Sequence, residues 1–285
     1  MNISTNHHYI PKFYIKGFTN SKGFLHIYDK QKDEFYENRS PKSIFFEKER
    51  NTMYLNEKTS ILEDKFYKEL DDKCKIAIQN LRDKPNSVEL LNTDNIADIQ
   101  LFILCLFWRI PKTDDAFERF IQEAEILFTT KEGEKVRDEK LEHKLKDDVS
   151  YKKMQRAFIF RKAIDGMKNS QGQLYTQLFG RKDELFLLGD YPVVFKKTPS
   201  TFDDLIHKDY YLPISSNRLF HSSKDEHPLS FDYDKIGRFN VLIIDQSVRY
   251  ICSPNLDCLK RSVAFYKKIK ATNLFHELIG KVFNY

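Results

Sequence analysis

Residues 101–111 read LFILCLFWRIP, and this stretch decides the fold because it is the most apolar part of the chain. A helix that is apolar on every side must lie inside a protein, so we predict a central buried helix here. The helix should end at Arg109, because a residue that precedes a proline, here Ile110, disfavours helical geometry. The run of residues 101–108 is far shorter than the roughly 18 residues that span a bilayer, and we therefore predict no membrane segment.

Helical patterns continue on both sides of this stretch. Apolar residues between positions 62 and 81 recur every three or four residues, which predicts an amphipathic helix. Residues 114–128, DDAFERFIQEAEILF, predict a further helix beyond Pro111. Residues 131–156 are almost continuously charged, and we interpret them as a charged helical insertion into the domain.

Strand patterns lie at the two ends of the chain. Residues 23–30 and 33–40 predict a hairpin, and residues 184–195 and 209–222 predict two further strand pairs. Two helices, at 234–251 and 255–269, are predicted to close the chain. Because neither strand set is large enough to cover itself, we predict an α+β fold with one sheet assembled from N-terminal and C-terminal strands. Residues 1–285 are then a single domain.

Charge and cysteine content bound the partners and the compartment. The chain has 47 Lys and Arg against 42 Asp and Glu, and its sequence pI is about 8.7. A dedicated nucleic-acid domain usually has a pI above about 9, so nucleic acid or another phosphate-bearing ligand is permitted rather than indicated. None of the four cysteines forms a C-x-x-C pair, and no apolar signal core opens the chain. These features predict a cytoplasmic protein with reduced thiols, and they leave the oligomeric state open.

Common catalytic and cofactor motifs are absent from the sequence. It contains no G-x-x-x-x-G-K-[ST], no G-x-G-x-x-G, no H-E-x-x-H and no G-x-S-x-G. No set of cysteines and histidines has the spacing of a zinc site. We therefore assign no metal and no cofactor.

The opening segment, NHHYIPKFYIKGF at 6–18, carries the first functional candidate. Its proline and aromatic residues should dock the segment onto the core, so that His8 is held in place as acid–base catalysis requires. Arg109, at the end of the most apolar helix, needs a partner. That partner is either a carboxylate such as Glu63 or Asp190 in a structural ion pair, or the phosphate of a ligand.

Asp190 lies in the GDYP turn between two predicted strands, where it could orient His8 or simply stabilise the turn. We assign His8, Arg109 and Asp190 as the candidate catalytic residues. Tyr14 and His7, from the opening segment, and Asn240, from an apolar helix face, are the candidate substrate-binding residues. For each of them a purely structural role is the alternative interpretation.

Four stretches in this order resemble one known family: HYIPKFYIKGF, FILCLFWRIP, LGDYPVVF with the following YYLPISSNRLF, and FNVLIIDQSVRYICS. The chain is identified by them as a member of the domain-of-unknown-function-4238 family, over roughly residues 7–255. It departs from the family pattern in reading DYP for DNP and PISS for PLSP, which removes an Asn and a stiffening Pro. The resemblance implies a bacterial protein, and it carries no settled reaction that could be transferred.

Two functional hypotheses follow from these residues. The first is a metal-independent nuclease or phosphodiesterase-type effector, acting in defence against phage or as a toxin. In it His8 is the acid–base, Arg109 binds the phosphate, and Asp190 orients the histidine. The second is a non-catalytic binding or sensor module, in which the same His, Arg and Asp form a structural polar network. The thermal stability and the activity of Arg109→Ala discriminate the two hypotheses, and a separation of the three side chains beyond about 10 Å would exclude a shared site.

Overall fold

The computed structural model of the chain describes residues 5–54, 56–84, 89–90, 96–130, 133–158, 175–199, 209–224 and 230–283. The helices are α1 (Lys12–Ile15), α2 (Lys68–Asp83), α3 (Ile96–Arg109), α4 (Asp114–Glu123), α5 (Glu139–Asp147), α6 (Tyr233–Gln246), α7 (Leu256–Lys270) and α8 (Leu278–Phe283). A π-helical turn, Leu62–Tyr67, leads into α2. The α+β class predicted from the sequence is confirmed.

The longer strands are β2 (Leu25–Asp29), β3 (Glu34–Arg39), β10 (Tyr175–Gly180), β13 (Tyr210–Ser215), β14 (Arg218–Ser223) and β15 (Tyr250–Ser253). The shorter strands are β1 (Asn6–His8), β4 (Phe46–Lys48), β5 (Met53–Tyr54), β6 (Lys58–Thr59), β7 (Glu89–Leu90), β8 (Phe128–Thr129), β9 (Lys135–Val136), β11 (Leu188–Gly189) and β12 (Val194–Phe195).

Strands from both ends of the chain meet in a four-stranded antiparallel sheet of order β11-β15-β2-β3, as the sequence predicts. The described strands also form a five-stranded antiparallel sheet of order β12-β13-β14-β10-β7, which corrects the prediction of a single sheet. The division falls between β11 and β12. Pro192 lies between them and has no N–H to continue a ladder, so the chain leaves one sheet after Gly189 and joins the other at Val194.

The predicted helix at 234–251 is shorter than expected. Helix α6 ends at Gln246, Ser247 is extended, and residues 250–253 form β15. The helix stops here because the Asp190 carboxylate accepts the backbone N–H groups of residues 248–250, which helical carbonyls would otherwise have to accept. A side chain thus sets the boundary between helix and strand.

The charged stretch at 131–156 is only partly helical. Its described residues include β9, which pairs with β8, then α5, and they are helical again from 149 onwards. The Asp138 side chain caps α5 by accepting the N–H of Leu141. Lys153 donates to the carbonyls of Glu49 and Thr52, so the end of the stretch packs on the N-terminal part of the chain. That this stretch is an insertion into a single domain stays a prediction.

Helix α3 is the centre of the larger hydrophobic cluster, as its composition predicts. Ten of its residues, Ile99 and the run from Leu101 to Arg109, are buried. The opening segment packs against it: Tyr14 is fully buried with its ring 4.9 Å from that of Phe102. A second cluster joins α6, α7 and α8 to the β11–β15 region. The opening segment is therefore a docked element of the first cluster.

Candidate functional site

The segment that carries His8 is held at several points along its length. Strand β1 pairs with β4, with His8 opposite Phe46, and the N–H of Tyr9 donates to the carbonyl of Phe45 at 3.0 Å. Further along, the Tyr14 hydroxyl donates to the carbonyl of Pro213 in β13. These contacts fix a segment near the chain terminus that would otherwise fray.

His8 is buried, with only 6% of its surface exposed, and its ring lies 5.5 Å from that of Phe46. Its Nε2 atom has no hydrogen-bond partner among the described residues. Burial, reinforced by the nearby positive charges of Lys12 and Arg109, lowers the pKa of His8 to about 4. The imidazole is therefore neutral at physiological pH.

Arg109 ends α3 with its guanidinium beside the opening segment. Its Nη1 donates to Asp71 at 2.5 Å, and its Nη2 donates to the carbonyl oxygen of His8 at 3.0 Å. The guanidinium also lies 4.5 Å from the centre of the Tyr67 ring. The ion-pair partner is thus Asp71, and neither Glu63 nor Asp190, the two carboxylates considered from the sequence.

A wider polar network surrounds this pair. Burial by itself would lower the pKa of Arg109, but the carboxylates of Asp71 and Glu63 outweigh it and raise that pKa above its ordinary value. Glu63 accepts from the Asn51 amide at 2.7 Å, and the N–H of Asn51 donates to Nδ1 of His7 at 2.9 Å. His7 is fully buried. Through Asn51 and Glu63, His7 therefore links β1 to the π-helical turn that leads into α2.

His8 and Arg109 line one cavity of about 390 Å³, which we call the His8 cavity. The π-helical turn and α2 supply four carboxylates to its lining: Glu63, Asp64, Asp71 and Asp72. Lys12, Lys68, Lys75 and Arg109 balance them in formal charge. The structure therefore brings together two of the three catalytic candidates, and Asp190 is not among the described residues of this lining.

Asp190 is fully engaged elsewhere. One carboxylate oxygen accepts the N–H of Val248 at 2.8 Å, and the other accepts those of Arg249 at 2.7 Å and Tyr250 at 3.0 Å. Its own N–H donates to the carbonyl of Tyr250 at 3.1 Å. A carboxylate whose lone pairs are used in this way holds the end of α6 against β11, and it does not orient His8.

Two of the substrate-binding candidates also make contacts that hold the fold. Tyr14 is fully buried and bonded to β13, as described above. The Asn240 amide accepts from the N–H of Leu187 at 3.2 Å and donates to the carbonyl of Leu185 at 2.8 Å. It thereby ties α6 to the chain that leads into β11. Neither side chain lines the His8 cavity or the larger cavity that adjoins it, which is described next.

A larger cavity of about 640 Å³ adjoins the His8 cavity and shares Lys12, Phe13 and Lys75 with it. We call it the lysine groove. Its charged lining consists of five basic residues and one acidic residue: Lys12, Lys16, Lys42, Lys75, Arg82 and Asp83. Sequence reasoning missed this groove, because its walls come from α1 and the turn after it, from the turn at 40–42, and from α2. One signal was present: Lys12 and Lys16 are four residues apart and flank two aromatic residues.

The positive charges of the groove are not neutralised from within. Within the described part of the chain, the side chains of Lys12, Lys16, Lys42 and Lys75 form no ion pair and no hydrogen bond. Arg82 donates to three carbonyls, those of Phe13, Tyr14 and Ile214, and forms no ion pair among the described residues. Burial lowers the pKa of Arg82 to about 10, so it stays charged at neutral pH.

A third cavity, also of about 390 Å³, lies beside Arg50 and Asp114 and is different in kind. Arg50 pairs with both Asp114 and Glu47 at 2.6 Å, and Arg156 pairs with Asp114 at 2.5 Å. Its two arginines are therefore matched by carboxylates. Internal ion pairs thus occupy much of the lining of this cavity.

The residues that the structure describes contain neither a metal-binding cluster nor a membrane-spanning helix. No group of three or more His, Cys, Asp or Glu side chains among them could hold a metal ion. Over the same residues, no helix combines the length and the apolar character that crossing a bilayer would need.

Comparison with known proteins places the chain in a family. A family model described as a protein of unknown function, DUF4238, matches residues 6–256. The chain belongs to this family. No curated protein matches the chain, and no solved structure does. The described lining of the His8 cavity and of the lysine groove lies inside the range matched by the DUF4238 model, and so do Asp190 and Asn240.

Proposed function

We propose that this DUF4238 protein is a binding module for a phosphate-bearing ligand, which it holds in the lysine groove. Arg109, Asp71 and His7 then belong to the polar network that holds neighbouring elements of the fold, and the groove lysines provide the binding charges. This corresponds to the second of the two hypotheses drawn from the sequence, with the binding surface moved from the buried candidates to the lysines beside them.

The observation that carries the proposal is the unneutralised charge of the groove. Some lysines elsewhere on the surface, such as Lys268, also lack an ion pair among the described residues, whereas others have carboxylate partners, as Lys152 has Glu118 at 3.0 Å and Lys270 has Asp245 at 3.1 Å. The four groove lysines have none among the described residues. Basic groups of one sign in a recess focus a positive potential that attracts an anion. A phosphate-bearing ligand can supply several negative charges at the spacing of such a groove.

Arg82 strengthens this potential from below. Each of its three guanidinium nitrogens donates to a backbone carbonyl, which holds the group in place without neutralising its charge. The backbone of Gly17 lies directly against it, and a Cβ at that position would be 2.2 Å from Nη2 of Arg82. Asp83 offsets only part of the basic charge of this lining, and a guanidinium held in place needs little reorganisation when an anion binds.

The Arg109 guanidinium is less suited to binding a ligand. Two of its five N–H groups are used, one by Asp71 and one by the carbonyl of His8, and the Asp71 carboxylate already neutralises the charge that would attract a phosphate. Buried ion pairs of this kind hold neighbouring elements in register. Asp190 is likewise engaged by three backbone N–H groups.

Cleavage of a bound phosphodiester, with His8 as acid–base, is the second candidate function. One observation favours it: Nε2 of His8 and Nε of Arg109 are both buried without a hydrogen-bond partner among the described residues, and both residues line the His8 cavity. A phosphate held near His8 would also raise the pKa of the imidazole from about 4 towards the neutral range. Bacterial origin, a cytoplasmic location and a role in phage defence remain predictions.

Binding of inorganic polyphosphate tests the first proposal, because this polyanion has phosphate groups and no bases. We expect the wild-type protein to bind it and the variant Lys12→Gln/Lys16→Gln/Lys42→Gln/Lys75→Gln to lose at least tenfold in affinity. The matched control, Lys73→Gln/Lys267→Gln/Lys270→Gln/Lys281→Gln, removes the same charge outside the groove and should bind as the wild type does. Equal weakening by the two variants would show non-specific attraction and overturn the proposal.

The second candidate is tested by incubating a fluorescently labelled RNA with the wild type and with His8→Gln in the presence of EDTA. Acid–base groups contribute about 10²–10⁴-fold to a rate, so His8→Gln should lose at least a hundredfold in cleavage while it still binds polyphosphate. Retained cleavage by a folded His8→Gln would remove His8 from the reaction, and an uncleaved substrate with the wild type would remove the reaction itself.

A further inference from the structure

The residues at the junction of the two cavities indicate the class of ligand more closely than the charge of the lysine groove alone does. Phe13 lines both the His8 cavity and the lysine groove, and Lys12 and Lys75 line both with it. An aromatic ring therefore stands at the junction, with a basic residue beside it on its own segment and another on α2. This combination of a ring and basic side chains is the one that single-stranded nucleic acids use.

The ring at this junction is held as a platform. Phe13 is only partly buried, yet its ring lies 5.6 Å from that of Phe102 in the most buried helix of the protein. Its carbonyl accepts from Nη1 of Arg82 at 2.9 Å, so the backbone is fixed as well. A ring that is backed by the core and reachable from a cavity loses little freedom when a flat group stacks on it.

The recess favours a single strand over a double helix. Readers of the major groove insert a protruding helix or strand between the phosphate backbones. Here the basic residues line a recess, and the aromatic face lies among them. Only an unpaired base can place its flat face on a ring there, because the bases of a duplex are already stacked on each other.

We propose that the ligand is a single-stranded nucleic acid, whose phosphates follow the lysine groove and one of whose bases stacks on Phe13. This inference rests on the proposed binding function, and it adds the class of polymer and the residue that recognises a base. The strand then passes from the groove, over Lys12 and Lys75, into the His8 cavity.

Fluorescence anisotropy with a labelled single-stranded oligouridylate, a hairpin duplex of equal charge and polyphosphate tests the inference. We expect the single strand to bind at least tenfold more tightly than the duplex. Stacking of one base corresponds to about a 5- to 150-fold change in affinity, so Phe13→Leu should lose at least fivefold for the single strand. The same variant should bind polyphosphate as the wild type does. Phe13→Tyr keeps the ring and should keep the affinity.

The control is Phe120→Leu, which removes an exposed ring, 43% accessible, from α4 outside both cavities. Melting temperatures of all variants check that Phe13→Leu has not displaced the opening segment. If polyphosphate binds, and Phe13→Leu and the wild type bind the oligonucleotide equally, the strand assignment is wrong and the binding function stands. A duplex that binds as tightly as the single strand also overturns the assignment. If the wild type does not bind polyphosphate, the proposed function itself fails.

Discussion

The Arg109 network and the lysine groove are neighbours, yet they differ in how their charges are used. In the network, Arg109 and Asp71 bond to each other, and the carbonyl of His8 accepts from the same guanidinium. In the groove, four lysines have no partner among the described residues. In this protein the buried polar residues of the network are engaged by the fold, and they are therefore less available to a ligand than the lysines. The available charges are the ones that the fold has left unpaired.

The largest expected effect concerns the network. Arg109→Ala should lower the free energy of unfolding by about 3–5 kcal/mol, because it leaves the Asp71 carboxylate half-buried without its partner. Urea unfolding measures it. Arg109→Met/Asp71→Leu removes both charges and should recover a large part of the loss. If Arg109→Ala left the free energy of unfolding unchanged, the ion pair would contribute nothing to the fold, and the contrast with the groove would disappear.

The second effect concerns Asp190, the other engaged group. Asp190→Ala should cost about 3 kcal/mol in the free energy of unfolding, since it leaves three backbone N–H groups at the end of α6 without their acceptor. Asp183→Ala, at a carboxylate that is 51% exposed, is the matched control and should change stability by no more than about 0.5 kcal/mol. Equal effects of the two substitutions would contradict a structural role for Asp190.

The third effect is a pH dependence of the free energy of unfolding that comes from His8, whose cavity adjoins the lysine groove. Because the pKa of His8 falls from 6.5 to about 4 on folding, the unfolded chain binds the proton more tightly than the folded one. The contribution of His8 to the free energy of unfolding is therefore fully present above about pH 6.5. It falls by on the order of 2 kcal/mol as the pH falls towards 4. Unfolding experiments at pH 7 and pH 4.5 should show a smaller difference for His8→Gln than for the wild type. The control is His143→Gln, at an exposed position, which should keep the wild-type difference.

The smallest effect on stability belongs to the groove. Each of Lys12→Gln and Lys16→Gln should change the free energy of unfolding by less than about 0.5 kcal/mol, because neither side chain makes a contact that the fold uses. Each should still lower the slope of log affinity against log salt by about 0.7 for a single strand. A slope that does not change would show that these lysines do not contact phosphate.

The sequence predicted the helical centre well. The position of α3, its end at Arg109 and its burial followed from LFILCLFWRIP, since an all-apolar helix has one stable location and a proline ends it. The hairpin of β2 and β3 and the pair of β13 and β14 followed from local patterns in the same way. The sequence also predicted that His8 lies on a docked segment, but it did not predict that the carbonyl of His8 accepts from Arg109.

The errors have a common physical cause. The end of α6 depends on Asp190, whose partners are about 60 positions away along the chain. The division into two sheets depends on which distant strands pair on either side of Pro192. The sequence suggests Glu63 or Asp190 as the partner of Arg109, but the partner is Asp71. The packing of α2 on α3 decides which carboxylate faces the guanidinium. Periodicity describes one element at a time and carries no information on such pairings.

What the sequence by itself determined is the class of the fold, the buried helix at its centre and the family. Those properties follow from local composition, from burial and from the order of short stretches along the chain. The tertiary structure decided which polar groups are engaged and which are available. An arginine, an aspartate and a lysine look equally suited to a ligand in the sequence, and only the three-dimensional packing determines whether another part of the chain has already satisfied them.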